Sequence, residues 1–301
     1  MRYHGGKWRI APRIIALFPP HRRYVEPYGG GAGVLLRKER SVAEVYNDLD
    51  GEVVNVFRVL RDPVQAAELR RLCELTPFAR AEFNLTYEPS PDPIEQARRT
   101  IARSFMAHGT SHRRGSRSGF RATQVQRSST SAEDWRTWTL YIDKFTDRLR
   151  GVIIDERPAL DVIAANDKVD TLYLLDPPYP RSTRSSLRGH GRSDGAYLCE
   201  MTDDDHRALA ATLRGISGMA IVCGYACELY DVELYPDWHR VELPTMADGA
   251  KPRTEVLWFN PAAAIASDQA RRRAAPSRAP VASKPRGSAS ASPSVPSPIT
   301  R

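Results

Sequence analysis

Six short apolar runs set the rhythm of the chain: Tyr24-Val25-Glu26, Ala43 to Tyr46, Val152 to Ile154, Val169 to Leu175, Met219 to Cys223 and Glu255 to Phe259. Runs of this length, rich in β-branched and aromatic residues, predict strands, and Pro177 and Pro178 stop the fourth at Asp176. Between them the spacing turns helical. Ile10, Ile14, Ile15 and Leu17 mark one face, a helix is expected to begin over Val34 to Glu39, and Val53, Val54, Phe57 and Leu60 mark another over Asp50 to Leu60. Further helices are predicted over Ala159 to Ala164 and, after the N-cap signal of Thr202 and three aspartates, through Leu213. Strands alternating with helices predict an α/β protein with a doubly wound sheet covered on both faces. Ligands of such sheets sit at the carboxyl ends of the strands, which here means Glu26 to Gly33, Asn47-Asp48 and Asp176 to Tyr179.

That rhythm is interrupted once and lost once. Residues 61–150 read as helical pieces around an irregular segment, "HGTSHRRGSRSGFR", and form an insertion between two α/β parts, 1–60 and 151–262. From 263 to 301 the chain turns to Ala, Ser, Pro and Arg, with little apolar surface to offset ordering, and is expected to be a disordered basic tail.

Composition narrows the class. The chain has 301 residues, enough to bury a sizeable core. The spacing of Cys73, Cys199, Cys223 and Cys227 fits neither a zinc nor a redox motif, so no metal is expected. The start, "MRYHGGKWRI", lacks a signal-peptide core, and no apolar run reaches membrane-span length, so a cytoplasmic protein without membrane contact is expected. The net charge of +8 is uneven: Arg98 to Arg136 carries +7 and Ala264 to Arg301 carries +6, which leaves a mildly acidic remainder. Two basic segments on an acidic body suit a polyanionic partner.

Candidate chemistry gathers on the predicted rim. "EPYGGGAG", Glu26 to Gly33, is a glycine-rich strand-to-helix turn that lets a ligand approach backbone, though it is neither a P-loop nor G-x-G-x-x-G. Asp48, ending the next strand, is the type of acid that accepts bonds from ribose hydroxyls, or else caps a helix. The two glycines before Lys7 form a turn presenting that lysine to an anionic group. In "LLDPPYP", Asp176 and the rigidly held Pro177 carbonyl can accept both N–H bonds of an adenine amino group, and Tyr179 offers a ring for an extruded base. Such acceptors would hold a poor nucleophile towards tetrahedral geometry and offset the positive charge it develops.

Four motifs in order, "YHGGK", "VEPYGGGAGVLL", "VYNDLD" and "LLDPPY", resemble the N6-adenine DNA methyltransferases of the Dam type (the α group) over roughly the first 260 residues. The resemblance implies a Rossmann-like methyltransferase sheet, S-adenosyl-L-methionine as cofactor and a helical insertion that reads DNA. It gives Tyr3, Lys7, Glu26, Tyr28, Gly30, Asp48 and Asp176 as cofactor contacts and Asp176, Pro177 and Tyr179 as the catalytic set. Asp155 to Pro158 would border the cofactor adenine. One departure stands out: the second glycine of the family loop is Ala32 here. In the insertion Arg113, Arg114, Arg117 and Arg121, interleaved with Gly, Ser and Phe120, suit a loop entering a groove of double-stranded DNA. The expected protein is a monomer, with a cognate restriction endonuclease as a conceivable partner. Cytosine N4, an RNA adenine or a protein glutamine would be rival acceptors, but Asp176 at the head of the tetrad argues against them. A catalytically silent DNA-binding relative is disfavoured by intact Lys7, Asp48, Asp176 and Tyr179.

Overall fold

A computed structural model describes residues 6–108, 118–122, 125–126, 129–183, 199–246 and 252–274. In chain order its elements are α1 (Ala11–Ile15), β1 (Arg23–Glu26), β2 (Ala43–Asn47), α2 (Gly51–Arg61), α3 (Pro63–Leu75), α4 (Arg80–Leu85), α5 (Pro93–Met106), β3 (Val125–Gln126), β4 (Ser129–Thr130), α6 (Ser131–Trp138), α7 (Ile142–Leu149), β5 (Val152–Asp155), α8 (Ala159–Ala165), β6 (Thr171–Leu175), α9 (Asp203–Gly215), β7 (Met219–Gly224), β8 (His239–Met246), β9 (Pro252–Phe259) and α10 (Pro261–Ala274). Seven strands form one sheet in the order β5-β2-β1-β6-β7-β9-β8. The first five are parallel, while β9 runs antiparallel to β7 and β8 antiparallel to β9. This is the doubly wound, Rossmann-like arrangement that the alternating pattern predicts.

Burial on both faces explains why the central strands read as continuous apolar runs. Successive side chains alternate in direction. Tyr24, Leu172, Leu174, Ile221 and Leu257 join Ile14, Val54 and Phe57 in one cluster, and Val25, Tyr173, Leu175, Val222 and Trp258 join Val162, Leu209 and Leu213 in the other. The strand β8 has no counterpart among the predicted runs. It lies at the sheet edge, where His239, Arg240 and Glu242 interrupt Val241 and Leu243, and where Pro244 is tolerated.

Two local expectations change. Val34 to Lys38 forms turns closed by Leu36 N–H to the Ala32 carbonyl and Lys38 N–H to the Val34 carbonyl, not a helix. The tail expected from 263 does not start there, because α10 continues the chain as a helix to Ala274. The reason is a buried cap: Asn260 Oδ1 accepts from Ala263 N–H at 2.9 Å and Ala220 N–H at 3.0 Å, and its Nδ2 donates to the Gly218 carbonyl at 3.0 Å. Small side chains then seat the helix on β7, with Ala263 fully buried. Residues 275–301 lie outside the described residues.

Helices α3 to α7 occupy the interruption, and α5 packs on both α2 and α3. Two arginines of α5 are interior. Arg98 donates to Glu95, to Glu82 at 2.9 Å and to the Thr76 hydroxyl at 2.9 Å. Arg103, 1% exposed, donates to Glu52 of α2 and to the Thr86 carbonyl at 2.7 Å. Part of the positive charge counted in this segment is therefore spent inside it.

Candidate active site

Because β1, β2 and β6 are parallel and in register, Val25 opposite both Val45 and Tyr173, their carboxyl ends share one rim. The winding reverses between β1 and β6, and the loops diverge there to leave a crevice. It holds a cavity of about 300 Å³, lined by Gly6, Lys7, Glu26 to Gly31, Gly33, Val34, Asp48 to Asp50, Pro158 to Leu160, Leu174, Asp176, Pro178, Cys199 to Met201, Asp205 and Ala208.

The glycine-rich loop is packed as closely as its composition permits. A Cβ on Gly29 would lie 2.1 Å from the Tyr46 ring, and one on Gly33 would lie 2.9 Å from the Trp8 nitrogen. The second glycine is thus what lets the segment carrying Lys7 lie across the loop. Gly30 has φ 47° and Ala32 φ 50°, so the alanine found where the resemblance leads one to expect a glycine adopts the left-handed backbone glycine would favour. Asp48 Oδ2 accepts from Gly30 N–H at 2.7 Å and Oδ1 from Asp50 N–H at 2.9 Å. The cap of α2 is instead Asp50, which accepts from Glu52 N–H at 3.0 Å.

Acids crowd this cavity, and burial sets their protonation. Glu26 accepts from the Tyr24 hydroxyl at 2.6 Å and Leu35 N–H at 2.8 Å, yet burial outweighs these bonds and pushes its pKa up to about 7. Burial, then the neighbouring Asp48, raises Asp50 to about 6. Burial also raises Asp48 against its backbone hydrogen bonds, and raises the Tyr28 phenol. Among the described lining residues one cation answers them. Lys7 Nζ donates to both oxygens of Asp176, at 2.7 and 2.8 Å, and lies 3.5 Å from Glu255 Oε1. Burial alone would lower the Lys7 pKa, but Asp176 and Glu255 reverse this and hold the ammonium above its usual range.

Tyr179 is buried beside this pair. Its hydroxyl donates to Glu255, the Lys7 ammonium lies 4.9 Å from its ring centre, and the Tyr225 ring meets it edge-on at 4.9 Å. Asp176 and Pro178 are half-buried, Pro177 buried. The structure therefore brings together Lys7, Glu26, Tyr28, Gly30, Asp48 and Asp176 around one cavity, with Pro177 and Tyr179 adjoining it. Pro158 lines the cavity, whereas Asp155 turns to Arg157 Nε at 2.7 Å. Tyr3, Arg113, Arg114 and Arg117 lie outside the described residues. Arg121 is buried, its N–H donating to the Met106 carbonyl at 2.8 Å, so it is seated against α5 and not open on a groove-facing loop. Sequence reading missed Glu255; its one signal is an acid opening the apolar run Val256 to Phe259.

Among the described lining residues carboxylates outnumber cations, which favours a positively charged ligand. Asp48 and Asp50 present oxygens suited to vicinal hydroxyls, and Leu49, Pro158, Ala159 and Leu160 form an apolar end able to take a planar ring. Among the described residues no helix is long and apolar enough to cross a membrane. A family model described as D12 class N6 adenine-specific DNA methyltransferase matches residues 3–220. No curated protein matches the chain.

Proposed function

The chain belongs to the D12 class N6 adenine-specific DNA methyltransferase family, and from that premise we propose that it transfers a methyl group from S-adenosylmethionine to N6 of an adenine flipped out of double-stranded DNA. The observation that carries this is Asp176, half-buried at the end of β6, facing the acidic cavity and oriented through both oxygens by Lys7. The cofactor fits by the chemistry of the lining: acids for its positive charges and ribose hydroxyls, an apolar end for its adenine. When bound, it supplies an electrophilic methyl group on a cationic sulfur.

The residues have separable tasks. Asp48 and Asp50 hold the ribose, while Glu26 and Tyr28 border the charged end. A carboxylate has about four lone-pair sites, so Asp176 can serve Lys7 and still accept from a base. Asp176 and the Pro177 carbonyl accept the two amino N–H bonds, which frees the nitrogen lone pair, and the carboxylate offsets the charge that grows on that nitrogen. Tyr179 orients the extruded base. Sequence reading of the DNA is assigned to the insertion, with Arg113, Arg114 and Arg117 as contacts. Tyr3 adjoins the cofactor.

The test is expression in a host free of N6-methyladenine, followed by single-molecule sequencing of its DNA. The expected result is N6-methyladenine in one sequence context, reduced by about 100- to 1,000-fold or more in rate for purified Asp176→Ala, with cofactor binding retained. An Asp176→Ala enzyme only a few-fold slower would remove the carboxylate from the centre of the mechanism.

A further inference from the structure

Beyond the span matched by the family model, the antiparallel strand β9 sends two side chains back to the catalytic tyrosine. Arg253 and Glu255 are two residues apart and so share a face of β9. Glu255, 3% exposed, accepts the Tyr179 hydroxyl and stands 3.5 Å from Lys7 Nζ. Arg253 stacks 5.1 Å from the centre of the Tyr225 ring, whose edge contact with Tyr179 is 4.9 Å. Tyr179 is therefore fixed at its hydroxyl by one β9 residue and at its ring through another.

We propose that Glu255 is a positioning residue for methyl transfer: it orients Tyr179 through the hydroxyl and balances Lys7, so that Lys7 holds Asp176 without monopolising it. This rests on the reading of Asp176 and Tyr179 as the catalytic pair. Lys7 lies between two carboxylates, 2.7 Å from Asp176 and 3.5 Å from Glu255. Neutralising the second leaves the whole ammonium charge on the first, whose oxygens then accept less readily from the base amino group. Losing the carboxylate also loosens the phenol against which the base is placed. A charge-assisted hydrogen bond to a buried acid fixes a ring more firmly than packing alone. Glu255 itself does not line the cavity, so its loss should be felt in the rate more than in cofactor affinity.

The experiment measures single-turnover methyl transfer from methyl-labelled S-adenosylmethionine to unmethylated duplex DNA for Glu255→Gln, Tyr179→Phe and the double variant, with cofactor and DNA dissociation constants measured alongside. Expected for Glu255→Gln is a rate about 10- to 100-fold lower, the scale of a misplaced reacting group, with both dissociation constants within about twofold of the parent. The double variant should be slower than Tyr179→Phe by much less than the single-variant effects multiplied together, because the two residues act through one contact. A Glu255→Gln rate within about twofold of the parent, fully multiplicative effects, or a loss of cofactor affinity as large as the loss of rate would overturn the proposal. If Glu255→Gln does not fold, Tyr179→Phe decides: a slow enzyme with intact binding supports the positioning contact, and a parent-like rate refutes it. Asp176→Ala run in parallel separates the two levels. An active Asp176→Ala removes the catalytic reading itself, whereas an inactive one beside a normal Glu255→Gln removes only this inference.

Discussion

The rim of the parallel strands and the helical insertion are both dense in charge, and they dispose it in opposite ways. Among the described residues of the insertion, α5 pairs its charges: hydrogen bonding to Arg98 pulls the Glu95 carboxyl below its ordinary value, and Glu95 in turn raises Arg98. Among the described residues of the rim, carboxylates outnumber cations, and burial raises Glu26 to about 7 and Asp50 to about 6. Paired charge is architecture. Unreconciled charge held in a crevice marks a place where a ligand completes the electrostatics.

The strongest way to break this contrast is to unpair the insertion. Arg103→Ala leaves Glu52 and the Thr86 carbonyl without their buried partner, and should lower stability by roughly 3–5 kcal/mol in denaturant titrations. Cofactor affinity below the melting range should be unchanged. A large loss of affinity there would mean that the insertion shapes the cavity and does not merely brace it. Next in size is Asp48→Ala, which removes an acceptor from the rim; isothermal titration should show the S-adenosylmethionine dissociation constant rising about 10- to 100-fold with DNA affinity little changed. Unchanged cofactor binding would leave Asp48 only its loop contacts with Gly30 and Asp50.

The smallest effect is a slope. An acid whose pKa is higher folded than unfolded contributes stability that is complete below the unfolded value and is lost as pH rises through the folded one. For Glu26 that window runs from 4.5 to about 7. Glu95 behaves in the reverse sense, its contribution disappearing as pH falls through its depressed value. Glu26→Gln should therefore flatten the decline in melting temperature of the ligand-free protein across that window and leave the acid limb unaltered. A parallel displacement of the whole curve would contradict the assignment.

The rim was largely legible because its pieces are contiguous in sequence. Glycines, an acid after a strand and the Asp176 to Tyr179 tetrad each announce a loop at a strand end, and the parallel sheet does the rest. Pairings across the chain were not legible. Nothing in the order of residues couples Glu255 to Tyr179, or tells that Arg98 and Arg103 point inward, since charge counted along a segment carries no direction. Ala32 shows a further limit: composition locates the loop, but only backbone geometry shows which position takes the left-handed conformation, at about 1 kcal/mol for a residue with a Cβ. The start of α10 was hidden for another reason, as its anchor is one asparagine bonded to β7 in an otherwise small-residue stretch.

The bridge from Lys7 to Asp176 spans 169 residues of sequence, and that from Tyr179 to Glu255 spans 76 more. Contacts of such separation form late, after local elements and the strands that carry them are in place. On the ribosome the parallel strands and the crevice at their ends emerge before β9 does, and domains gain structure as they emerge. A nascent chain that has reached α9 thus owns every rim motif yet lacks the strand whose Glu255 accepts from its tyrosine.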